Sequence, residues 1–443
     1  MLSDEKSLKY QQILNSIPHW DFGTPAKNLM KTYENTINKT FLSVTSQITA
    51  PVLVSFVIWV LYNAEKQNIR NLLFISRDGL VMYEIADILC KKWGIMIECK
   101  YFHASRSSLG LPMFAIDKNY ALEKLCSLDS GNKTLRDLYK AAGITEFRAN
   151  LNELVNKKTK EKLLHDHEFQ KYALQVSEVE LENTRKYFIE YMPESKFAIV
   201  DSGWRGSIQE AFGKLYKHFF NRSPSDVTGF YFGMLRTPFR STGKYFSYYF
   251  SPDVNFYRLK GFCIDLFECL CAANHGRVVG YTQEKDGIRM VPVFAEEMLE
   301  CSSSWDAGKQ IELCIAYTKI FASQNCKTTT LPNTQIIDKL FKIFMNSPSR
   351  EEAVVYGAIP FSRSVIENNV GTLARTLSDD ELKTYTFTHR IKTKIIRQPK
   401  MNCAPVFWHQ GSAVLSNASV LRKLDMKLLL FAYRLKVWLK SLR

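Results

Sequence analysis

Three observations predict an α/β protein built on a mostly parallel sheet. A strand-helix-strand unit of about minimal length runs from Asn71 as NLLFIS, LVMYEIADILCKKWG and IECKYFHAS, which implies parallel strands with a right-handed crossover. The same strand-turn-helix order recurs in SKFAIVDSGWRGSIQEAFGKLYKHF, and two more apolar strands follow it, DVTGFYFGML and KYFSYYFSP. The 443 residues are 46% apolar, enough chain and enough hydrocarbon for more than one core.

Taken in order, residues 1–70 read as a helical region, with apolar positions at helical spacing in MKTYENTINKTFLSV. The run ITAPVLVSFVIWVLYNA, residues 48–64, contains a proline and polar residues and falls short of the roughly 20 residues a membrane span needs, so it predicts a buried helix. Residues 71–290 form the predicted α/β core. Within it, about 107–195 are charged and helix-forming and read as a helical insertion. From about Gly261 the pattern is helical again (FCIDLFECLCAA), crosses a hairpin-like RVVGYTQEKDGIRMVPVF, and continues as helices to about 358. Residues 291–420 make a helical C-terminal region, of which 376–418 are polar and irregular.

The segment from 421 to 443 is a basic amphipathic helix. Leu428, Phe431, Leu435 and Trp438 share one face, and Lys427, Arg434, Lys436, Lys440 and Arg443 lie mostly elsewhere. That pattern suits either an anionic bilayer surface or a helix packed on its own domain.

Lysine and arginine outnumber aspartate and glutamate by 59 to 44, a net charge of +15, so the expected partners carry phosphate. Outside the C-terminal helix there is no basic stripe with interleaved aromatics, and no nucleic-acid partner is expected. Ten cysteines are scattered, and the one close pair, Cys269 and Cys271, has no second pair at zinc spacing. They read as reduced thiols. The opening MLSDEKSLKYQQ lacks the charged-then-apolar order of a secretion signal, so the expectation is a cytoplasmic protein, peripheral on the inner face of the cell membrane if the last helix binds lipid.

Ligands of such sheets bind beyond the carboxyl ends of the strands, where loops meet helix N-termini. Two joins here fit: Ser76, Arg77, Asp78 and Gly79, and then Asp201, Ser202, Gly203, Trp204, Arg205, Gly206 and Ser207. Each brings an arginine, an aspartate, a turn glycine and a following helix whose free N–H groups attract anions. Arg106, after the next strand, adds a third cation at the same edge. Two arginines and two helix ends imply a substrate with more than one phosphate. The aspartates suit sugar hydroxyls or a hydrated Mg²⁺ ion rather than bare phosphate. The plainer alternative is that Arg77 and Asp78 pair with each other and cap a helix.

A strand ending in an acidic turn also suggests the haloacid-dehalogenase-like phosphatases. Their nucleophilic aspartate would fall at Ser76, which has no evident base, so that chemistry is set aside. FAIVDSGWRGSIQEAF resembles instead the loop with which type I phosphoribosyltransferases cradle a 5-phosphate and ribose, although one acidic residue replaces the usual adjacent pair and Arg-Gly-Ser replaces Thr-Gly-x-Thr. The ordered set LVSFVIWVL, FISRDGLVMYEIA, FHASRSSLGLP, VDSGWRGSIQ and LFECLCAANHGRVVGY is similar to a domain of bacterial surface-polysaccharide loci, often fused behind a haloacid-dehalogenase-like phosphatase. The likeness covers roughly residues 40–285.

What it implies is a type I phosphoribosyltransferase-like sheet and transfer of a 5-phosphoribosyl group from phosphoribosyl pyrophosphate (PRPP) to a hydroxyl of a lipid-linked or growing glycan, with Mg²⁺ bound through PRPP and water rather than by direct ligation. Arg77, with the backbone of Asp78 and Gly79, would serve the pyrophosphate. Gly203, Arg205, Gly206 and Ser207 would hold the 5-phosphate, Trp204 would shield the reacting carbon, stack on the acceptor sugar or pack, and Asp201 would bind the ribose hydroxyls directly or through the metal. Ser76, Arg106 and Ser202 are further substrate-binding candidates. Asp78 and Glu268 are both candidate bases. No Asp-x-Asp-Thr strand precedes residue 70, so the phosphatase is expected as a separate protein. A degenerate phosphatase or phosphotransferase in the same pathway is the alternative.

Overall fold

The computed structural model describes residues 4–127, 134–144, 151–156, 158–236, 238, 240–295, 305–361, 371–396 and 405–441. Five strands, β1 (Asn71–Ile75), β2 (Glu98–Phe102), β3 (Phe197–Trp204), β4 (Thr228–Met234) and β5 (Lys244–Phe250), form one all-parallel sheet in the order β2-β1-β3-β4-β5. The central strands are almost unbroken apolar runs because both of their faces are covered. Leu72, Phe74, Ala198, Val200, Phe230 and Phe232 enter one core, and their neighbours Leu73, Ile75, Phe197, Ile199 and Tyr231 enter the other. The alternation is the period of two that extended backbone imposes.

Chain direction then decides where a ligand can sit. After β1 the chain enters the Gly79–Trp93 helix, whose Val81, Met82 and Ile85 join the first core. After β3 it enters the Ser207–Phe220 helix, whose Phe212 and Leu215 join the second. Two adjacent strands thus send their helices to opposite faces. The carboxyl ends of β1 and β3 are left facing a crevice, the switch point at which doubly wound sheets bind ligands.

The helices between β2 and β3, the longest being His167–Tyr191, form the layer over the second face. Over the first face, the N-terminal and C-terminal helical regions pack as one layer. The ring of Trp20 stacks on Phe321 at 5.8 Å and lies 5.9 Å from Trp93. Tyr10 Oη donates to the fully buried Glu352 at 2.6 Å, and Lys6 pairs with the same carboxylate. Among the described residues one helix, Lys39–Lys66, is long and apolar enough to cross a membrane at a mean hydropathy of 1.8, but 94% of its apolar window is buried inside the protein. Its all-round apolar surface is what a helix enclosed between sheet and outer helices requires.

Two boundaries differ from expectation. In the irregular 376–418 stretch the chain forms helices Asp379–Thr384, Phe387–Ile396 and His409–Leu415, the first opened by a capping box between Ser378 and Glu381. Residues 397–404 lie outside the described residues. More consequentially, β3 does not stop near residue 200. It continues to Trp204, pairing Gly203 with Gly233 and Trp204 with Met234 of β4, so the expected cradle of Gly203 to Ser207 shrinks to a turn at Arg205 and Gly206.

Gly203 makes this possible. Its φ is +116°, and a Cβ there would stand 2.2 Å from the Gly233 carbonyl oxygen. Gly203→Ala is therefore expected to destabilise the fold by about 2–3 kcal/mol, from strained backbone and steric overlap. Chemical denaturation of wild type and variant measures it, and equal midpoints would contradict this account of β3.

Candidate active site

The two joins meet at the crevice. β1 and β3 are hydrogen-bonded neighbours in register, with Phe74 opposite Val200, so Ser76 to Asp78 lie beside Asp201 and Ser202. Gly79 opens its helix so close to β1 that a Cβ would lie 2.8 Å from the Phe74 carbonyl carbon. The Ser76–Arg77 peptide bond is cis.

Asp78 does not cap its own helix. Its carboxylate instead accepts a hydrogen bond from Ser202 Oγ, across the seam between the two strands. Of the plainer reading, in which Arg77 and Asp78 pair with each other and cap a helix, the cap is not formed, while the Arg77 charge does act on the Asp78 carboxyl. Ser202 is thereby an internal tether rather than a free ligand group. Ser76 is also engaged: its Oγ donates to the Ala104 carbonyl at 2.9 Å and accepts from the Ala104 N–H at 3.1 Å, tying β1 to the end of β2. Arg77, Arg106 and Arg205 stand exposed at this edge, while Gly206 is buried at the start of its helix.

Three carboxyls share the crevice, and each is partly buried. Burial pushes Asp201 up to about 7, and the neighbouring Asp78 charge adds to it. Burial, then Asp78 and Asp265, raise Glu268 to about 8. Asp78 is itself raised, because its desolvation outweighs the Ser202 hydrogen bond and the charges of Arg77 and Arg106. Arg106 acts on all three. It heads the helix Arg106–Gly110 after β2, which Ser105 opens with a capping box.

Trp204 bridges the cluster to the core. Its backbone sits at φ +75°, a costly conformation for a side chain of this size. The ring packs among Phe250, Phe262 and Phe267 at centroid distances of 6.2, 5.7 and 5.9 Å, and Nε1 donates to Glu268 Oε1 at 2.7 Å. It is thus a packing residue that also fixes a carboxylate. Tyr248 and Tyr249 are core, whereas Tyr245 is half-buried, hydrogen-bonds Thr242, and places its ring beside Gly206.

Sequence reasoning missed several groups at the same edge. Tyr101, near the end of β2, lies in the field of Asp78 beside Ser76, and its hydroxyl meets His275 Nε2 at 2.7 Å. Since His275 Nδ1 sits 2.8 Å from the Gly276 carbonyl, which can only accept, Nδ1 carries the proton and Nε2 accepts from Tyr101. His103 is held near 4 by burial and by His275. Arg236, just past β4, donates from Nε to the Arg205 carbonyl at 2.8 Å and pairs with Glu210. The available signal was position: each of Tyr101, His103 and Arg236 lies at the carboxyl end of its strand.

Among the described residues, no three His, Cys, Asp or Glu side chains converge to ligate a metal directly. Asp78 and Asp201 do fit a hydrated divalent cation, since burial raises both carboxyls, the Asp78 charge raises Asp201 further, and a cation nearby would relieve both.

The raised carboxyls set a pH dependence. A carboxyl whose folded value lies above its unfolded one contributes stability that is complete below the unfolded value, near 4.5 for Glu268, and is lost as pH rises through about 8. Glu268→Gln keeps the acceptor for Trp204 and removes the titration. Relative to wild type, the ligand-free variant is expected to gain on the order of 3–4 kcal/mol between roughly pH 5 and pH 8.5, read by thermal melting at both. A pH-independent difference would remove the buried charge from this account.

No protein-family model matches the chain, and no curated protein is similar to it, so the chemistry of this edge is read from its own residues.

Proposed function

We propose that the crevice between β1 and β3 binds PRPP and transfers its 5-phosphoribosyl group to a sugar hydroxyl of a glycan, releasing pyrophosphate. The observation that carries this reading is the tethering of the two anion-attracting turns, by Ser202 and Asp78, at one switch point with Arg77, Arg106 and Arg205 around it.

Arg77 and Arg106 bind the pyrophosphate, together with the first N–H groups of the Gly79–Trp93 helix. The turn at Arg205 and Gly206 and the start of the Ser207–Phe220 helix, with Ser207, hold the 5-phosphate. Asp201 orients the ribose hydroxyls. Asp78 and Asp201 would hold hydrated Mg²⁺, which when bound offsets the pyrophosphate charge. The bond from the anomeric carbon to pyrophosphate breaks as positive charge grows on the ribose ring, and the partly buried carboxyls and arginines provide a fixed field there. The acceptor oxygen attacks the opposite face, so an α-configured donor gives a β-ribofuranoside.

Of the two candidate bases, Glu268 takes the acceptor proton. Asp78 has an oxygen committed to Ser202 and serves the leaving-group side, whereas Glu268 is positioned by Trp204 on the neighbouring helix Ile264–Leu270. The acceptor being part of a polysaccharide, and the 5-phosphate being removed later by a separate phosphatase, belong to the same proposal.

Calorimetry should detect Mg²⁺-dependent PRPP binding, and incubation with a lipid-linked or synthetic glycan should release pyrophosphate. Arg77→Ala is expected to lower kcat/KM by about 10²-fold. No PRPP binding at any Mg²⁺ level sinks the proposal. Phosphate release from phosphosugars that is abolished by Asp78→Asn and untouched by Arg205→Ala would replace it with phosphatase chemistry. A second expectation concerns pH: kcat should climb as Glu268 loses its proton, near pH 8, and Glu268→Gln should be slower by 10²-fold or more, on the order of a general-base contribution, with that limb flattened. A limb unchanged in Glu268→Gln would assign the base elsewhere.

A further inference from the structure

The C-terminal helix Val420–Ser441 is attached to the protein by the wrong face for a packing helix. Met426 is buried against Leu382 and Ala413, and Asp425 caps the Phe387–Ile396 helix through the N–H groups of Phe387 and Thr388. Arg434 donates to the Lys260 and Phe262 carbonyls. By contrast Leu421, Leu424, Leu428, Phe431, Leu435 and Leu439 are 42–79% exposed. At about 100° per residue they fall within an arc of about 80°. Trp438, Lys440 and Arg443, which the sequence adds to this helix, have side chains outside the described residues.

Cations border that stripe on both sides. On the helical wheel Lys427 lies about 40° beyond one edge and Lys436 about 60° beyond the other, past Asp425, whose carboxylate is taken up by Phe387 and Thr388, and the Lys260 ammonium sits 5.2 Å from the Phe431 ring centroid. On the Lys427 side, a cavity of about 200 Å³ is lined by Lys423, Lys427, Asn346 and His409. We infer that this helix lies in the plane of an anionic phospholipid surface, with its leucine stripe in the acyl boundary and lipid phosphates against Lys423, Lys427, Lys436 and Lys260. The flanking charge selects this occupant over a second copy of the chain, since pairing two such stripes would bring lysines together on both sides. The inference is independent of the reaction at the sheet edge, and activity forms no part of its test.

The test is sedimentation of the whole chain with phosphatidylcholine vesicles, with and without phosphatidylglycerol. Binding should be stronger by on the order of tenfold or more with the anionic lipid and should weaken with salt. The double variant Leu424→Glu with Phe431→Glu should lose binding while melting like wild type, because both positions are exposed. Lys423→Glu with Lys427→Glu should lose the preference for anionic lipid. Equal binding by the variants, indifference to lipid charge, or a dimer in light scattering that the Leu424→Glu and Phe431→Glu changes dissolve would each overturn the inference.

Discussion

The hydrogen bond from Ser202 to Asp78 is the contact on which the sheet edge depends. It links two turns whose helices leave toward opposite faces, so it fixes the width of the crevice those helices open. It also keeps Asp78 away from the N-terminus of its own helix. The Gly79–Trp93 helix consequently begins without a side-chain cap, and so does Ser207–Phe220, which starts after a left-handed Gly206. Two uncapped helix starts with exposed arginines form a site suited to anions, whereas an Asp78 turned back on its helix would have used one of them up.

The sheet itself was legible because both of its faces are enclosed. Runs such as NLLFI and FAIV admit no solvated face, and an amphipathic helix between two of them forces a parallel crossover. The end of β3 was not legible. A segment reading Ser-Gly-Trp-Arg-Gly carries every local mark of a turn, and only the neighbouring Gly233, unseen by any local pattern, lets Gly203 pass as a strand residue. Length defeats pattern in the outer layer too, where Tyr10 meets Glu352 and Trp20 meets Phe321. Amphipathic periodicity tells which side of a helix is buried and nothing about its partner.

The candidate site divides the same way. Arg77, Asp78 and Asp201 stand out because an acidic or basic residue directly after an apolar strand has few structural uses. Glu268 was reachable only through the resemblance, and Tyr101 and His103 only by their position at a strand end, where aromatic residues also look like core. What binds them into one site is proximity across the sheet, to which adjacent residues in sequence contribute little. Ser76 and Ser202 show the converse: conspicuous hydroxyls at a turn can be consumed in holding the turn.

One chain of contacts joins the crevice to the exterior. Arg434 on the last helix holds the Phe262 carbonyl, the Phe262 ring packs on Trp204, and Trp204 holds Glu268. Trp204 keeps an unfavourable positive φ that only these surroundings compensate. A shift of the last helix would therefore be felt first in the aromatic cluster, at the residue that orients Glu268, before it reached the sheet. Asp78 and Asp201 are insulated from such a shift, being fixed by β1 and β3 themselves. The Asp78 and Asp201 side of the crevice is thus set by the sheet, and the Glu268 side by packing that extends to the protein surface.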